Sequence, residues 1–273
     1  GLVFPCISQA KDRPGANLPL VFEEDFEKGH KRWETTDDKS WTHRKVEGNH
    51  VFGINRRKSD YKPKVRSPYH IALIRDVKVA DFVITFRVRS TKDTGNHRDC
   101  CVFFNYQDPQ NFYYVHLGAQ PDPHSGQIMI VKGAPRKALT ENKNKTPWKN
   151  ETWHRVKLVR DTAKGTIEVF FDDMKKPHMR VEDKTFGKGR IGIGSFDDMN
   201  DFDDIKLHGI KPQLFFPSQR NLLYNMEGIP ASPFRRDGRP FFDPDRDKAV
   251  SIGKLKEPKG YQLKDWIRLR MRQ

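Results

Sequence analysis

Basic and aromatic side chains that could bind or process a sugar recur along a series of strand-like segments. In NFYYVHLG (111–118), Tyr114 and His116 fall on one side of a strand and Tyr113, Val115 and Leu117 on the other, because successive strand residues point to opposite faces. Neighbouring segments add further groups, so the candidate site comprises His97, Arg98, Tyr114, His116, His124 and Arg136. Adjacent antiparallel strands lie about 4.8 Å apart, so these side chains can share one cleft.

These residue types suit an acidic or partly acidic glycan. Arginine binds a carboxylate or sulfate through two parallel hydrogen bonds, and tyrosine stacks on a sugar face. Histidine can bind, or transfer a proton near neutral pH, so β-elimination from a uronic acid is also conceivable. The competing interpretation is that Tyr114 and His116 are ordinary solvated residues of an open sheet. His97, His116 and His124 could instead hold a transition metal, but no HxH or HExxH spacing supports that.

The composition favours a β protein with anionic partners over a large α/β enzyme. The chain has 273 residues, 35% of them apolar and 32% charged, with a formal net charge of +15. A basic chain attracts nucleic acid, anionic lipid or acidic polysaccharide. No helix-turn-helix, zinc-finger or RNA-recognition pattern is present, so nucleic-acid binding is disfavoured. No segment reaches the roughly 18 apolar residues of a membrane span.

Short alternating segments separated by turn residues predict antiparallel sheets. Phe82, Ile84, Phe86 and Val88 share one face of the segment 81–90. Segments 153–161 and 165–173 alternate in the same way, and no helical period is sustained. We therefore predict an all-β fold, an antiparallel two-sheet β-sandwich, over residues 20–209.

The two ends of the chain differ from this central region. Residues 1–19 are predicted to be a signal-peptide remnant, ending in SQA with cleavage after Ala10, and a Pro/Gly linker. This predicts a secreted, periplasmic or cell-surface protein. Residues 210–273 are basic and proline-containing without regular alternation, which predicts an irregular C-terminal extension.

Four stretches resemble the concanavalin A-like (LamG-like) lectin and glucanase superfamily. They are VFEEDFEKGHKRWE, CCVFFNYQDPQNFYYVHLG, WHRVKLVRDTAKGTIEVFFDD and GRIGIGSFDDMNDFDDIKLHG. The resemblance implies a jelly-roll sandwich whose concave sheet lines a ligand groove. Family 16 glucanases of this fold carry Glu-x-Asp-x-x-Glu. The nearest pair here, Glu168 and Asp172, is four residues apart, about 13 Å along a strand, which is too far for retaining hydrolysis.

The resemblance implies an exported protein that binds or acts on a poly- or oligosaccharide. Two alternatives stay open: a polysaccharide lyase or unusual glycoside hydrolase using His, Tyr and Arg, and a structural surface protein that binds polyanions by net charge. The resembled fold often carries a structural calcium between its first and last strands. Asp25 and Asp203 are the predicted calcium ligands, since carboxylates suit Ca²⁺. The sequence does not indicate an oligomeric state.

Overall fold

A computed structural model describes residues 18–210, which belong to one compact unit of the chain, Gly1–Gln213. Residues 1–17 and 211–273 lie outside the described residues, so the leader and the C-terminal extension stay predictions. Within 18–210 there are two short 3-10 helices, Asp38–Ser40 and Gly95–His97, and fifteen strands. In chain order the strands are β1 (Leu20–Glu24), β2 (Trp33–Thr35), β3 (Trp41–Val46), β4 (Asn49–Ile54), β5 (His70–Val79), β6 (Phe82–Ser90), β7 (Cys101–Asp108), β8 (Asn111–His116), β9 (Ile128–Lys132), β10 (Lys137–Ala138), β11 (His154–Asp161), β12 (Thr166–Phe171), β13 (Met179–Glu182), β14 (Gly189–Ser195) and β15 (Asn200–Gly209).

The strands form two antiparallel sheets packed face to face. Across the described range, the eight-stranded sheet has the order β13-β12-β11-β6-β15-β4-β3, with β1 paired to β15. The seven-stranded sheet has the order β10-β9-β8-β7-β14-β5-β2. The predicted fold class, an antiparallel two-sheet sandwich, is confirmed. No helix among residues 18–210 has the length and apolarity that crossing a bilayer would require.

The core lies between the sheets and follows the predicted alternation. On β6 every second residue is buried and the intervening side chains are half-exposed. The core-facing residues of this strand are Phe82, Ile84, Phe86 and Val88. Burying each such side chain contributes about 1.5–3 kcal/mol to stability, so the alternation determines which face of this strand packs against the core.

The seven-stranded sheet is apolar on both faces. On β7, Val102 and Phe104 point into the core between the sheets, whereas Cys101 and Phe103 belong to a second buried cluster on the opposite face. This second cluster, called here the outer cluster, comprises Ile71, Leu73, Cys101, Phe103, Tyr106, Phe112, Tyr114, Met129, Val131 and Phe196. The sheet is therefore covered on both sides.

Candidate functional site

The two rings at the centre of the predicted site share one face of the seven-stranded sheet. On β8, Tyr114 lies opposite Phe103 of β7, and His116 lies opposite Cys101. Tyr113 of the same strand points into the core between the sheets. The alternation predicted for this segment is confirmed.

The predicted exposure of these rings is wrong. Tyr114 is fully buried, and His116 is 6% exposed. Val65 and Tyr69 of the segment 55–69, called here the roof loop, pack against the outer cluster. Burial raises the pKa of the Tyr114 hydroxyl well above its ordinary value. Apolar packing thus closes the groove that was expected at this position, and saccharide binding by these two rings stays a prediction.

The sequence carries a signal for this closure. The segments CCVFFNY, NFYYVHLG and QIMIVKG are apolar on both faces of their strands. Near-continuous apolar runs are typical of strands buried on both sides, whereas a sheet with one solvated face alternates apolar and polar residues.

The other four residues of the predicted site lie in two separate regions. The ring of His116 stacks on Phe196 with 5.8 Å between centroids, and the Arg136 guanidinium lies 4.3 Å from the centroid of the same ring. His116 Nδ1 lies 2.9 Å from the carbonyl oxygen of His124. His116 and Arg136 are therefore brought together on Phe196, and the backbone of His124 lies beside His116.

His97 and Arg98 do not join that group through any contact recorded for the described residues. Arg98 is buried and forms an ion pair with Asp93 at 2.8 Å, and it also donates to the Asn150 side chain. His97 is exposed at the end of a 3-10 helix. Arg98 thus links the loops that contain Asp93 and Asn150, and its charge is already paired with Asp93.

The predicted calcium ligands have other partners. Asp203 is buried and accepts from Arg87 at 2.6 Å and from Asn49 at 2.7 Å. Asp25 is exposed, and its carboxylate accepts from the backbone N–H of Glu27 at 3.1 Å. Neither belongs to a group of three converging ligand side chains within residues 18–210. Calcium at Asp25 and Asp203 stays a prediction.

A basic depression of about 420 Å³ lies on the roof loop. Three cations and two aromatic rings line it, together with one carboxylate. These residues are Arg57, Lys58, Lys62, Tyr61, Tyr69 and Asp197. This surface was not predicted, because the stretch RRKSDYKPK lies between strand-like segments. Its one signal in the sequence is a tyrosine interleaved with lysine and arginine.

The roof loop is anchored at its start. Asp37 accepts from Arg56 and from the backbone N–H of Asp60, both at 2.8 Å. Burial opposes ionisation of Asp37, but these hydrogen bonds and that from Ser40 hold its pKa well below its ordinary value. His70 Nε2 lies 2.9 Å from the carbonyl oxygen of Arg57. The start of the loop, which carries Arg57 and Lys58, is therefore held by hydrogen bonds at Arg57 and Asp60.

The outer face of the eight-stranded sheet carries a network of ion pairs. Buried Asp201 binds Arg44 at 2.6 Å and Arg89 at 2.9 Å. A Cβ added at Gly53 would lie 2.3 Å from Asp201 Oδ1, so glycine provides the space for this carboxylate. Trp153 lies beside Arg89, with 5.4 Å from the guanidinium carbon to the ring centroid. Both carboxylate oxygens of Asp201 are therefore already paired with arginine.

Several known structures are similar to this chain in fold and share little sequence identity with it. A carbohydrate-binding module CBM66 from Bacillus subtilis has 15% identity and a TM-score of 0.47, covering 65% of this chain and 96% of its own. Lectin II from Ulex europaeus has 12% identity and a TM-score of 0.47, covering 69% and 98%. A xylan β-1,4-xylosidase from Bacillus halodurans C-125 has 15% identity and a TM-score of 0.48, covering 68% of this chain and 38% of its own.

No protein-family model and no curated protein matches the chain. The fold described here rests on the two antiparallel sheets of the chain itself. Because one fold hosts many functions, the activity has to be argued from the site itself.

Proposed function

We propose that this chain is a saccharide-binding β-sandwich domain that takes an acidic glycan at the basic depression of the roof loop. The observation that carries the proposal is the combination of three cations with two tyrosine rings in one open depression. Ligand sites commonly combine an aromatic or apolar surface with a few placed polar groups. The residues beneath the roof loop are packed, whereas the depression on the loop is open, which favours the depression over the site predicted around Tyr114 and His116.

The charge of the depression favours an anionic ligand. Lys58 and Lys62 are exposed, and neither forms an ion pair with another residue of the described range. Arg57 is exposed and lies 3.4 Å from Asp197, so one of the three cations is partly neutralised. The remaining positive charge is available to a carboxylate or sulfate group of a sugar.

The aromatic rings supply a contact that a simple polyanion would not use. Tyr69 is half-buried and packs edge-on against Phe196, with 5.1 Å between ring centroids. Tyr61 is also half-buried. Rings held by packing lose little conformational freedom when a sugar face stacks on them.

The enzymatic alternative has less support. Tyr114 and His116 are the proposed proton-transfer groups of a lyase, but both are buried. Proton transfer requires a group within hydrogen-bonding distance of its substrate. Glu168 lies 3.3 Å from Arg180 and Asp172 lies 2.7 Å from His154, so both carboxylates already make structural contacts.

The direct test compares acidic and neutral oligosaccharides by isothermal titration calorimetry with the full chain. We expect binding of uronic-acid or sulfated oligosaccharides and at least tenfold weaker binding of neutral ones. Lys58→Gln with Lys62→Gln should weaken acidic-glycan binding about tenfold or more, since each lost charge contact contributes about 1 kcal/mol. Tyr61→Leu should weaken it through the lost ring contact.

A charge-matched control separates this site from binding by net charge. Lys143→Gln with Lys145→Gln removes the same charge from an exposed segment that does not line the depression. If the two double variants lose affinity equally, or if all binding vanishes in about 1 M salt, net charge alone is responsible and the proposal fails.

Export and structural calcium are part of the same proposal, and the calcium is tested separately from the saccharide site. A calcium ion at Asp25 and Asp203 would raise the melting temperature in a manner reversed by chelation. An unchanged melting temperature after EDTA treatment removes calcium from the proposal and leaves the saccharide site unaffected.

A further inference from the structure

Three side chains of different ligand types converge at one end of the β7–β8 pair. Cys101 begins β7 and His116 ends β8, and the strand register places them directly opposite each other. Asp99 precedes β7 by two residues. The ligand atoms of Asp99, Cys101 and His116 all lie within 4.8 Å of one another, and all three residues are buried.

The orientation of His116 directs a lone pair toward the other two residues. Its Nδ1 lies 2.9 Å from the carbonyl oxygen of His124, and a carbonyl only accepts, so Nδ1 carries the hydrogen. Nε2 faces Asp99 Oδ2 at 3.7 Å, which is longer than the 2.7–3.2 Å of an N–H···O hydrogen bond. Metal-bound histidines commonly have this arrangement, with one ring nitrogen donating to a carbonyl and the other binding the ion.

The carboxylate of Asp99 is fixed through one oxygen and leaves the other free for an ion. Its Oδ1 accepts from Ser195 Oγ and from the backbone N–H of Phe196, both at 2.9 Å. Its Oδ2 is the oxygen that faces His116. Cys101 Sγ lies 3.9 Å from Oδ1, which allows only a weak S–H···O contact.

We infer that Asp99, Cys101 and His116 form a closed binding site for a divalent transition metal of the zinc class. Imidazole, thiolate and carboxylate are the three ligand types that zinc takes, with bonds of about 2.0–2.3 Å. A tetrahedral ion with such bonds separates its ligand atoms by roughly 3.3–3.8 Å, close to the 3.7 Å between His116 and Asp99. Calcium and magnesium are excluded as the preferred ions, because both take oxygen ligands.

An unpartnered polar group lies on the same face of β8 as His116. The Tyr114 hydroxyl is buried and has no hydrogen-bond partner within the described residues. The rings of Tyr114 and His116 are neighbours, with 6.1 Å between their centroids. Three protein ligands leave the fourth tetrahedral position of the ion to a water or to a neighbouring oxygen such as this hydroxyl. Because all three protein ligands are buried, the expected role of the ion is to stabilise the fold.

The experiment replaces zinc with cobalt, whose spectrum reports thiolate ligation. The full chain, freed of metal with a chelator and reduced, is titrated with Co²⁺ and then with Zn²⁺. We expect one equivalent of Co²⁺ to give a thiolate-to-cobalt charge-transfer band in the near ultraviolet, which stoichiometric Zn²⁺ abolishes. The melting temperature should rise on loading with either ion.

Variants assign the band to these residues. Cys101→Ala should abolish the band, and His116→Gln should weaken metal binding by more than the 10–100-fold seen for outer-shell substitutions. Cys6→Ser and Cys100→Ala should keep the band, since Cys100 lies on the opposite face of the sheet. His97→Ala removes an exposed imidazole and should also leave the band unchanged.

Absence of a thiolate band in the reduced wild-type chain overturns the inference, whether or not any variant folds. Loss of the band in Cys6→Ser but not in Cys101→Ala overturns it as well, because another thiol would then hold the ion. Neither outcome bears on the saccharide proposal, which uses no residue of this cluster.

Discussion

The two sheets differ in how their outer faces are covered. The eight-stranded sheet covers its outer face with arginines paired to buried carboxylates, such as Asp201 between Arg44 and Arg89. The seven-stranded sheet carries phenylalanine, tyrosine and methionine there, and covers them with the roof loop. The outer face of the eight-stranded sheet is therefore a network of ion pairs, whereas that of the seven-stranded sheet is a second hydrophobic core.

This difference decides where a ligand can bind. On the eight-stranded sheet the strongest polar groups already satisfy one another, so a ligand would have to compete with short ion pairs. Over the seven-stranded sheet, packing is confined beneath the roof loop, and the loop's own lysines remain unpaired on its surface within the described range. This contrast is why we propose the basic depression as the saccharide site.

The largest predicted effect tests whether the outer cluster is a true core. Phe103→Ala should lower the free energy of unfolding by about 3–5 kcal/mol, because Phe103 is fully buried and its loss leaves a cavity. Urea denaturation measures this. Leu20→Ala, at a half-exposed position, should change stability by less than about 1 kcal/mol. Similar small effects at both positions would mean that the outer cluster is not packed.

A second substitution tests the ion pairs of the eight-stranded sheet. Asp201→Ala should destabilise the protein by about 3 kcal/mol, since Arg44 and Arg89 would then face each other without a carboxylate. Asp204→Asn removes the charge of a carboxylate that is 51% exposed and pairs with Arg87, and asparagine tolerates the φ of 49° at this position. It should cost no more than about 1 kcal/mol. Equal costs would show that burial does not strengthen this network.

A third prediction concerns the anchor of the roof loop and its pH dependence. The folded pKa of Asp37 is depressed, so its contribution is present above the unfolded value of about 3.9 and is lost as pH falls below it. Asp37→Asn should therefore cost about 2 kcal/mol at neutral pH, from lost charged hydrogen bonds. The difference from wild type should shrink steadily below about pH 4.

Urea denaturation at several pH values measures this difference, with Asp204→Asn as the exposed control. A gap between Asp37→Asn and wild type that stays constant down to about pH 3 would contradict the assigned role of the carboxylate.

The sequence predicts the fold well and the site only in part. The alternation of apolar and polar residues on β6 and β11 specifies which face of each strand is buried, because this pattern is local to the strand. The site depends on contacts between distant segments, such as Tyr69 with Phe196, and no local pattern encodes them. The apolar outer positions of β7 and β8 indicated a covered face, but they did not identify the covering segment.

The roof loop both shields the outer cluster and presents the cations of the depression, so specificity and folding are linked in one segment. Exchanging single side chains at Lys58 or Lys62 should retune ligand preference at little cost, since both point to solvent. Deleting or grafting the whole loop would uncover Phe103 and its neighbours and favour aggregation. Engineering a new ligand preference into this domain therefore has to proceed residue by residue.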